Sequence, residues 1–326
     1  MAAPKLGEFE RIARFFAPLA APEGLGLVDD VALIEGPPGF QYVLKTDAIV
    51  EGVHFLPDDP ADQVAQKLLR VNLSDLAGKG ASPVGYLLTT SLPRERDEAW
   101  LEAFAQGLAR DQREFGISLM GGDSVATVGP VTLSVAAIGR VRRGEAVLRR
   151  GAMPGHAVFV SGTLGDAALG LKAIRGELPG LSAGDRAFLA DRYRLPRPRL
   201  ALGQRLVGIA KAMMDISDGL VADLGHICEV SGVGAVVEAA RLPLSPAARA
   251  AIAAEPVLLT AALAAGDDYE LLFTAPPDAE KRVTALSSEL GVPVTPVGRI
   301  EPGAGVRVLD AKGAAIPLTG AGYRHF

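Results

Sequence analysis

The spacing of apolar residues in the first half of the chain predicts two long helices. Apolar side chains recur close to every 3.6 residues over 61–77 and again over 95–115, so each stretch carries an apolar stripe. They include Val64, Leu68, Val71 and Leu76 in the first stretch and Trp100, Phe104 and Leu108 in the second. Gly78 and Gly80 end the first helix. A similar pattern over 7–18 predicts a short amphipathic helix.

Shorter apolar runs predict strands around these helices. In the first half they cover 31–34, 42–44, 84–91, 117–120 and 131–138. The sequence Gly-Pro-Pro-Gly separates the first two runs and predicts a hairpin-like turn. The first half is therefore expected to mix hairpins with long helices.

The pattern breaks over 142–155, where arginine, glycine and proline replace the apolar runs. We place a domain boundary there, which gives predicted domains 1–145 and 146–326. Strands predicted in the second domain cover 156–160, 212–215, 269–274 and 294–300, and helices cover 166–174, 185–193, 200–211, 220–231 and 280–290.

Length and composition agree with two globular domains. At roughly 150 residues per domain, 326 residues predict two. A net charge of −5, without any block of five basic residues, argues against a nucleic-acid partner. The single cysteine, Cys228, excludes an internal disulfide and a multi-cysteine metal site, and it indicates a reducing compartment. The longest uncharged stretch, 124–139, is shorter than the roughly 18 to 20 apolar residues of a membrane span, so we expect a soluble, cytoplasmic protein.

Aspartates stand at the ends of several predicted strands. Asp29 and Asp30 precede the first strand, and Asp47, Asp123 and Asp215 each follow one. Taken singly, each of them fits a turn or a helix N-cap, which are common roles of aspartate at such places. Taken together, they suggest one shared acidic site.

Asp75 fits a turn or a cap least well, because it lies inside the helix predicted over 61–77, beside an apolar stripe. If it converges with the strand ends, five or more carboxylates share a site. Two such charges about 4 Å apart repel by about 4 kcal/mol at an effective dielectric constant near 20, so the cluster must bind protons or cations. Oxygen ligands without a cysteine and histidine set indicate a hard ion, Mg²⁺ before Ca²⁺, with positions left for phosphate oxygens.

Common nucleotide-binding motifs are missing from the sequence. Neither the P-loop pattern nor the protein-kinase motif set occurs. Residues 162–165, Gly-Thr-Leu-Gly, lie between a predicted strand and a predicted helix, where backbone N–H groups can bind phosphate. A tight turn capped by Asp166 explains the same residues and is the interpretation we favour.

Six ordered motifs together resemble the thiamine-monophosphate kinase family, which is similar to the aminoimidazole-ribonucleotide synthetase superfamily of ATP-dependent enzymes. They begin at Asp29 (Asp-Asp-Val-Ala-Leu), Thr46 (Thr-Asp-Ala-Ile-Val-Glu-Gly-Val-His-Phe), Val71 (Val-Asn-Leu-Ser-Asp-Leu-Ala), Gly121 (Gly-Gly-Asp), Asp215 (Asp-Ile-Ser-Asp-Gly-Leu) and Gly266 (Gly-Asp-Asp-Tyr-Glu-Leu). The resemblance runs from Gly7 to the C-terminal residues 322–326, and the motifs are specific only in combination.

The resemblance implies a fold and an activity. The fold is α/β (α+β type), with two domains of mixed sheets and flanking helices and an N-terminal sheet that forms a homodimer. The activity is transfer of the γ-phosphoryl group of ATP to thiamine monophosphate with several Mg²⁺ ions. The acceptor phosphate has a second pKa of about 6 and is mostly dianionic at pH 7, so neither a general base nor a covalent enzyme nucleophile is expected.

Site residues carry over from the family motif by motif. The implied metal ligands are Asp30, Lys45, Thr46, Asp47, Asp75, Asp123, Asp215 and Asp218. The implied contacts are Gly122, Asp123, Arg149 and Ser217 for ATP, and His54, Glu270 and Tyr323 for thiamine monophosphate. Lys45 departs from the family, which has a hydroxyl residue there, so one ion would have to rely on a backbone carbonyl.

Two alternatives stay open at this stage. One is another enzyme of the same superfamily, although selenophosphate synthesis and hydrogenase maturation would need reactive residues near the chain ends, and Cys228 lies in a predicted helix. The other is a non-catalytic regulator that binds Mg²⁺ and nucleotide through Asp30, Asp47 and Asp75 without turnover.

Overall fold

The computed structural model of this chain describes residues 10 and 12–317. Of the helix predicted over 7–18, the described part forms a π-helical turn, Ile12–Phe16, and a 3₁₀ turn, Ala17–Leu19. A second 3₁₀ segment, Pro22–Leu27, leads into the first strand. Within the described part of the chain, no helix has the length and apolar character needed to span a membrane.

The first domain is built on a five-stranded sheet. Its strands are β1 (Ala32–Glu35), β2 (Phe40–Val50), β3 (Ser82–Pro93), β4 (Ser118–Thr127) and β5 (Thr132–Arg142). They lie in the order β1-β2-β5-β3-β4, and all neighbours are antiparallel except β3 and β4. A parallel pair needs a long crossover connection, and the second of the two long helices supplies it.

Both long helices predicted in this domain are present. They are α1 (Ala61–Gly78), which packs on β2 and β5, and α2 (Glu98–Phe115), which packs on α1. The second begins three residues later than predicted, because the side chain of Asp97 accepts a hydrogen bond from the N–H of Trp100 at 2.8 Å and caps the helix. It ends at Gly116, which takes a left-handed conformation with φ 65°.

The first helix, α1, is enclosed on nearly all sides rather than on one stripe. All its residues except Asp62 and Gln63 are buried. Glycine permits this close approach at two places. A Cβ at Gly107 of α2, or at Gly203 in the second domain, would lie 2.1 Å from a carbonyl oxygen of α1. The helix therefore lies in the interior between the two domains and carries Asp75 there.

The second domain is built on a six-stranded sheet flanked by helices. Its strands are β6 (Ala157–Ser161), β7 (Ala212–Asp215), β8 (Gly234–Glu238), β9 (Leu271–Ala275), β10 (Val294–Glu301) and β11 (Gly305–Leu309), in the order β11-β8-β10-β6-β9-β7. Its helices are α3 (Asp166–Ile174), α4 (Ala183–Arg194), α5 (Leu200–Leu206), α6 (Leu220–Ser231), α7 (Pro246–Ala254), α8 (Leu259–Ala264) and α9 (Glu280–Leu290). The two-domain α/β architecture with mixed sheets is thus confirmed.

Some elements of the second domain differ from the prediction. The helix predicted over 200–211 ends at Leu206, because Val207 is extended and Gly208 has φ 75°. The sequence did not predict β8, β11, α7 and α8, which are short runs dominated by alanine, glycine and valine without a clear period. The segment between β5 and β6 contains the predicted boundary, and the division at 145/146 stays our proposal.

Candidate active site between the two domains

A cavity of about 460 Å³ lies between the domains. The first domain lines it from the loop before β1, from β2 and from α1. The second domain lines it from α3 and from the loops after β7 and before β9. The aspartates on its wall are Asp29, Asp30, Asp47, Asp75, Asp215, Asp218 and Asp267. The structure thus brings together residues that are up to about 240 positions apart in the chain.

Three carboxylates from three different elements meet in this cavity. Asp30 precedes β1, Asp75 lies in α1 and Asp215 ends β7, and one oxygen of each lies within 4.8 Å of the other two. Asp75 is 5% exposed and Asp215 is 3% exposed. Burial, followed by the charge of Asp30, raises the pKa of Asp215 to about 6, and burial raises the pKa of Asp75 as well. Ionisation of all three carboxylates is therefore unfavourable in the empty cavity, and it becomes favourable when a cation is bound between them.

Lys45 reaches into the same cluster from β2. Its Nζ lies 3.1 Å from Oδ2 of Asp75 and 3.2 Å from Oδ1 of Asp47. Lys45 and Asp47 are two residues apart in one strand, so their side chains leave the same face of the sheet. An ammonium group has three donors and no lone pair, so the side chain of Lys45 cannot be the metal ligand that the resemblance implies. Its carbonyl oxygen is the atom left for that role.

Thr46 lies between these two residues, so its side chain leaves the opposite face of β2. Its Oγ1 lies 3.5 Å from Oγ of Ser134 on β5, away from the helices. A contact of Thr46 with a metal ion in the cluster would therefore have to come from its backbone. Asp47 is held differently, because its N–H donates to Oδ1 of Asn72 in α1 at 3.0 Å.

A buried lysine and a half-buried arginine hold the loop before β1. The Nζ of Lys79, a fully buried residue, lies 2.8 Å from Oδ1 of Asp29 and 3.4 Å from Oδ2 of Asp30. Arg149 donates from Nε to Oδ2 of Asp30 at 2.8 Å and pairs with the other oxygen through Nη2. Burial acts against the charge of Asp30, but Lys79 and Arg149 outweigh it and hold the pKa of Asp30 well below its usual range. The implied ATP contact Arg149 thus lies beside the carboxylate cluster.

A second group of potential metal ligands lies where β7 leads into α6. Asp218, Asp223 and His226 each offer one atom, and these atoms lie within 4.8 Å of one another. Oδ2 of Asp223 accepts hydrogen bonds from the N–H groups of Ser217, Asp218 and Gly219, each at 3.1 Å. This carboxylate fixes the loop that carries the implied ATP contact Ser217 and the implied metal ligand Asp218.

His54 lies on the cavity wall in the turn after β2. Its Nδ1 accepts a hydrogen bond from the N–H of Val50 at 3.1 Å. Its carbonyl oxygen accepts from Nζ of Lys67 at 3.0 Å and from the hydroxyl of Tyr193 at 3.4 Å. Lys67 also pairs with Asp267 at 2.5 Å and lies 3.9 Å from the ring centroid of Tyr193. These contacts join the turn of His54 to α1 and to the second domain.

Part of the cavity wall is apolar and part is strained. Ala167, Ala168 and Leu171 line it from α3. Asp267 and Tyr269, in the loop before β9, have φ values of 75° and 52°, which are uncommon for residues other than glycine. Such strain persists where the surrounding structure enforces it, and it clusters at functional sites.

Gly122 and Asp123 lie apart from the carboxylate cluster. They belong to β4, the edge strand, which is exposed over almost its whole length. Asp47 pairs with Val135 of β5, Val135 with Leu88 of β3, and Leu88 with Gly122. At about 4.8 Å per strand, three spacings separate β2 and β4 by about 14 Å. Within one chain, Asp123 therefore does not join the cluster, in contrast to the implied ligand set.

Glu270 is not on the cavity wall. It is fully buried, and its carboxylate accepts from Arg199 at 2.6 Å on both oxygens, from Arg192 at 3.0 Å and from the hydroxyl of Ser161 at 2.6 Å. These partners lie inside the second domain and occupy both oxygens. These contacts give Glu270 a structural role, and the substrate contact that the resemblance implies for it stays a prediction. Tyr323, the other implied contact from this end of the chain, lies outside the described residues.

Glu270→Gln is expected to destabilise the protein rather than to weaken substrate binding. The neutral amide removes the carboxylate that balances Arg199 and leaves Arg192 only the longer pair with Asp166 at 3.9 Å. Breaking a buried ion pair typically costs about 3–5 kcal/mol. Urea unfolding measures the loss. Glu289→Gln is the matched control, because its pair with Arg205 is exposed and contributes little. Wild-type stability of E270Q together with a raised KM for thiamine monophosphate would instead assign Glu270 to the substrate.

Three backbone N–H groups of the turn at 162–165 already have hydrogen-bond partners within the protein. Two of them donate to backbone carbonyls, and that of Gly165 donates to the carboxylate of Asp268 at 2.8 Å. This agrees with the tight turn that we favoured over a phosphate-binding loop. The acceptor at the start of α3 is Asp268 rather than Asp166, because Asp166 bonds with two hydroxyl groups instead.

Two protein-family models match the two domains of this chain. The model for the N-terminal domain of AIR synthase related proteins matches residues 28–141, and the model for their C-terminal domain matches residues 153–311. Together the two matches cover most of the chain. The chain belongs to the AIR synthase related family.

Similar members of the AIR synthase related family match nearly the whole chain. The thiamine-monophosphate kinase of Caulobacter vibrioides is 43% identical over 323 residues, which are 98% of this chain and 90% of that protein. The crystal structure of thiamine-monophosphate kinase from Stenotrophomonas maltophilia has a TM-score of 0.78 at 42% identity and covers 88% of this chain and 90% of that one. The structure of AaThiL complexed with AMPPCP and TMP has a TM-score of 0.87 at 32% identity and covers 100% of this chain and 99% of that one. Within the AIR synthase related family, this chain therefore belongs to the thiamine-monophosphate kinases.

The structure adds residues that the sequence did not identify. Lys67 and Lys79 are buried cations that hold the walls of the cavity, and Asp223 and His226 extend the acidic loop after β7. One signal was available, because Lys67 lies three residues after Val64, on the apolar stripe of its helix. The others occupy positions that are ordinary for a helix end or a helix surface.

Proposed function

We propose that this chain transfers the γ-phosphoryl group of ATP to thiamine monophosphate and releases thiamine diphosphate and ADP. The observation that carries the proposal is the cavity between two AIR synthase related domains, lined by a cluster of buried aspartates. Its full-length relatives are named thiamine-monophosphate kinases, and one matching structure holds AMPPCP and TMP. These relatives favour catalysis over a purely regulatory role.

Mg²⁺ fits the donor set of this cavity. Asp30, Asp75 and Asp215 present carboxylate oxygens within 4.8 Å of one another, and such hard oxygen donors suit Mg²⁺ before Ca²⁺. These three residues would hold one ion, and Asp218 would hold a further one. Mg²⁺ bound there neutralises phosphate charge and polarises the transferring group. Thiamine monophosphate and ATP are the proposed ligands, and the cytoplasmic location stays part of the proposal.

The side chains on the wall align two anionic substrates. The dianionic acceptor needs no base, so catalysis is positioning and charge neutralisation. Arg149, oriented by Asp30, presents its guanidinium to ATP phosphate. A neutral histidine whose Nδ1 accepts a hydrogen bond carries its proton on Nε2, so His54 donates to the acceptor phosphate from Nε2. The apolar face of α3 packs against the thiamine rings and excludes water.

Turnover of the purified full chain tests the proposal. The chain is incubated with ATP, MgCl₂ and thiamine monophosphate, and thiamine diphosphate is quantified by chromatography. Stoichiometric formation of thiamine diphosphate and ADP is expected, without labelled protein from [γ-³²P]ATP alone. Nucleotide binding without product would support the regulatory alternative, and a trapped phosphoenzyme would contradict direct transfer.

We also propose that the N-terminal sheets of two chains form a homodimer. The edge strand β4 exposes Leu119, Met120 and Val125 to between 45% and 55%, and Leu87 on the neighbouring β3 is 46% exposed. A long apolar edge strand is normally paired or covered, because its free N–H and C=O groups otherwise recruit another chain. A second copy that packs on this face supplies that cover.

Val125→Lys is expected to convert the dimer to a monomer. A charged side chain in the middle of an edge strand opposes burial against a partner. Light scattering after size-exclusion chromatography measures the mass. Val257→Lys, at an exposed position of the second domain, is the control that should stay dimeric. A V125K protein with unchanged mass would move the interface elsewhere.

A dimer also explains how Asp123 can reach a carboxylate cluster. Because β4 lies about 14 Å from Asp47 of its own chain, the implied contact requires a second copy. We therefore propose that Asp123 of one chain serves the site of the other chain.

A further inference from the structure

The carboxylates of the cavity differ in how this chain balances their charge. Asp29 and Asp30 are paired with Lys79 and Arg149. Asp47 and Asp75 share a single ammonium, that of Lys45. Among the described residues, no ion pair joins Asp215 to a cation, although one of its oxygens lies within 4.8 Å of an oxygen of Asp75.

The position of Lys45 is set by the fold rather than by a flexible surface. β2 is bonded to β1 on one side and to β5 on the other, and the side chain of Lys45 is only 14% exposed. Its Nζ bridges a carboxylate of its own strand and a carboxylate of the buried helix α1, at 3.2 Å and 3.1 Å. A divalent ion that bridged these same two oxygens would have to occupy the same space.

We propose that the ammonium of Lys45 permanently fills one cation position of the carboxylate cluster, between Asp47 and Asp75, and so replaces one divalent ion that the site would otherwise bind. This inference rests on the proposed function for the identity of the reaction. It concerns the number and affinity of bound ions, which can be measured without turnover.

A tethered ammonium has two consequences for metal binding. It is attached to the chain and needs no binding equilibrium, so one of the two negative charges of Asp47 and Asp75 stays neutralised at any concentration of metal. It also repels a divalent ion bound beside Asp215, and this lowers the affinity of that neighbouring position. Removal of the charge should therefore add one ion and tighten the binding of the others.

The test compares the wild type with Lys45→Met, which keeps the length of the side chain, and with Lys45→Ser, which offers a hydroxyl ligand. Binding of Mn²⁺ to each protein, without nucleotide, is followed by calorimetry and by electron paramagnetic resonance of the free ion. Lys172→Met is the matched control, since Lys172 pairs with Glu177 on the surface. We expect one additional Mn²⁺ per chain and about tenfold tighter binding in both Lys45 variants, and no change in K172M.

Thermal unfolding with EDTA and with Mn²⁺ separates this role from a structural one. The Lys45 variants should lose stability with EDTA and regain it with Mn²⁺, whereas a structural lysine would give a loss that metal does not restore. Unchanged stoichiometry and affinity in both variants would overturn the proposal, and so would variants that stay unfolded in Mn²⁺. A protein that makes no thiamine diphosphate yet shows the additional ion would overturn only the proposed function.

Discussion

Asp215→Asn is expected to lower kcat by about 10³-fold, because the loss of one ligand removes several kcal/mol of charge stabilisation from the transferring phosphoryl group. The same substitution should make the metal-free protein more stable at pH 8. The carboxylate is buried, and its pKa is raised to about 6, so its ionised form is unfavourable in the folded state. Removal of that charge should raise the free energy of unfolding by about 1–3 kcal/mol.

The sign of the pH dependence follows from the direction of this shift. A carboxyl group whose pKa is raised in the folded state destabilises the protein increasingly as the pH rises from the ordinary pKa of 3.8 to the raised pKa of about 6, and by a constant amount above it. The variant should therefore unfold at a higher temperature than the wild type at pH 8 in EDTA. The difference should be smaller at pH 5 and should nearly vanish at about pH 3, where the wild-type group is protonated in both the folded and the unfolded state.

Steady-state kinetics and calorimetric unfolding with EDTA check both halves of this prediction. Asp278→Asn, at an exposed position, is the control that should change neither quantity. Full activity of D215N would remove the carboxylate cluster from the mechanism, whereas inactivity with lower stability at pH 8 would indicate a structural role for Asp215.

Asp123→Asn is expected to be inactive alone and to regain activity when its dimer partner carries Asp215→Asn. If Asp123 serves the partner's site, one of the two sites in such a mixed dimer has every carboxylate, and the other lacks two. A mixed dimer isolated with two different affinity tags should then show about half of the wild-type activity. If Asp123 served its own chain, both sites of the mixed dimer would be defective.

The measurement is the kcat of the tandem-purified mixed dimer, with each variant homodimer as a control. Less than one hundredth of the wild-type activity in the mixed dimer would refute action across the interface. Full activity of the D123N homodimer would show that Asp123 is not needed at all, which would contradict the ligand set that the resemblance implies.

The sequence predicted the long elements of the fold because their patterns are local. The helix α1 was predicted from apolar residues at helical spacing, and β5 from a continuous apolar run. Only residues 42–44 of β2 were predicted, so Asp47, which was expected after that strand, lies within it. The second domain was predicted less completely, since β8 and α7 are short and rich in small residues that carry little periodic signal. The nearly complete burial of α1 was also missed, because it depends on helices and strands that pack from both domains.

The candidate site was also predicted in part. The motifs identified Asp30, Asp75 and Asp215 as members of one site, and the cavity contains all three. The motifs also implied a ligand role for the side chain of Lys45, which an ammonium group cannot fill, and a substrate contact for Glu270, whose carboxylate pairs here with Arg199. A motif records which residue types occur together, whereas an ion pair depends on which side chains face each other after folding.

The sequence by itself determined the family, the two domains and the acidic chemistry, because these depend on residue types in a fixed order. Only the tertiary structure decided which carboxylates have their negative charge balanced, and which cation balances each of them. Lys45 and Asp75 are 30 positions apart, and only the packing of α1 against β2 brings them to 3.1 Å. It also decided that β4 leaves Asp123 far from its own cluster, because strand order depends on pairing across the whole sheet.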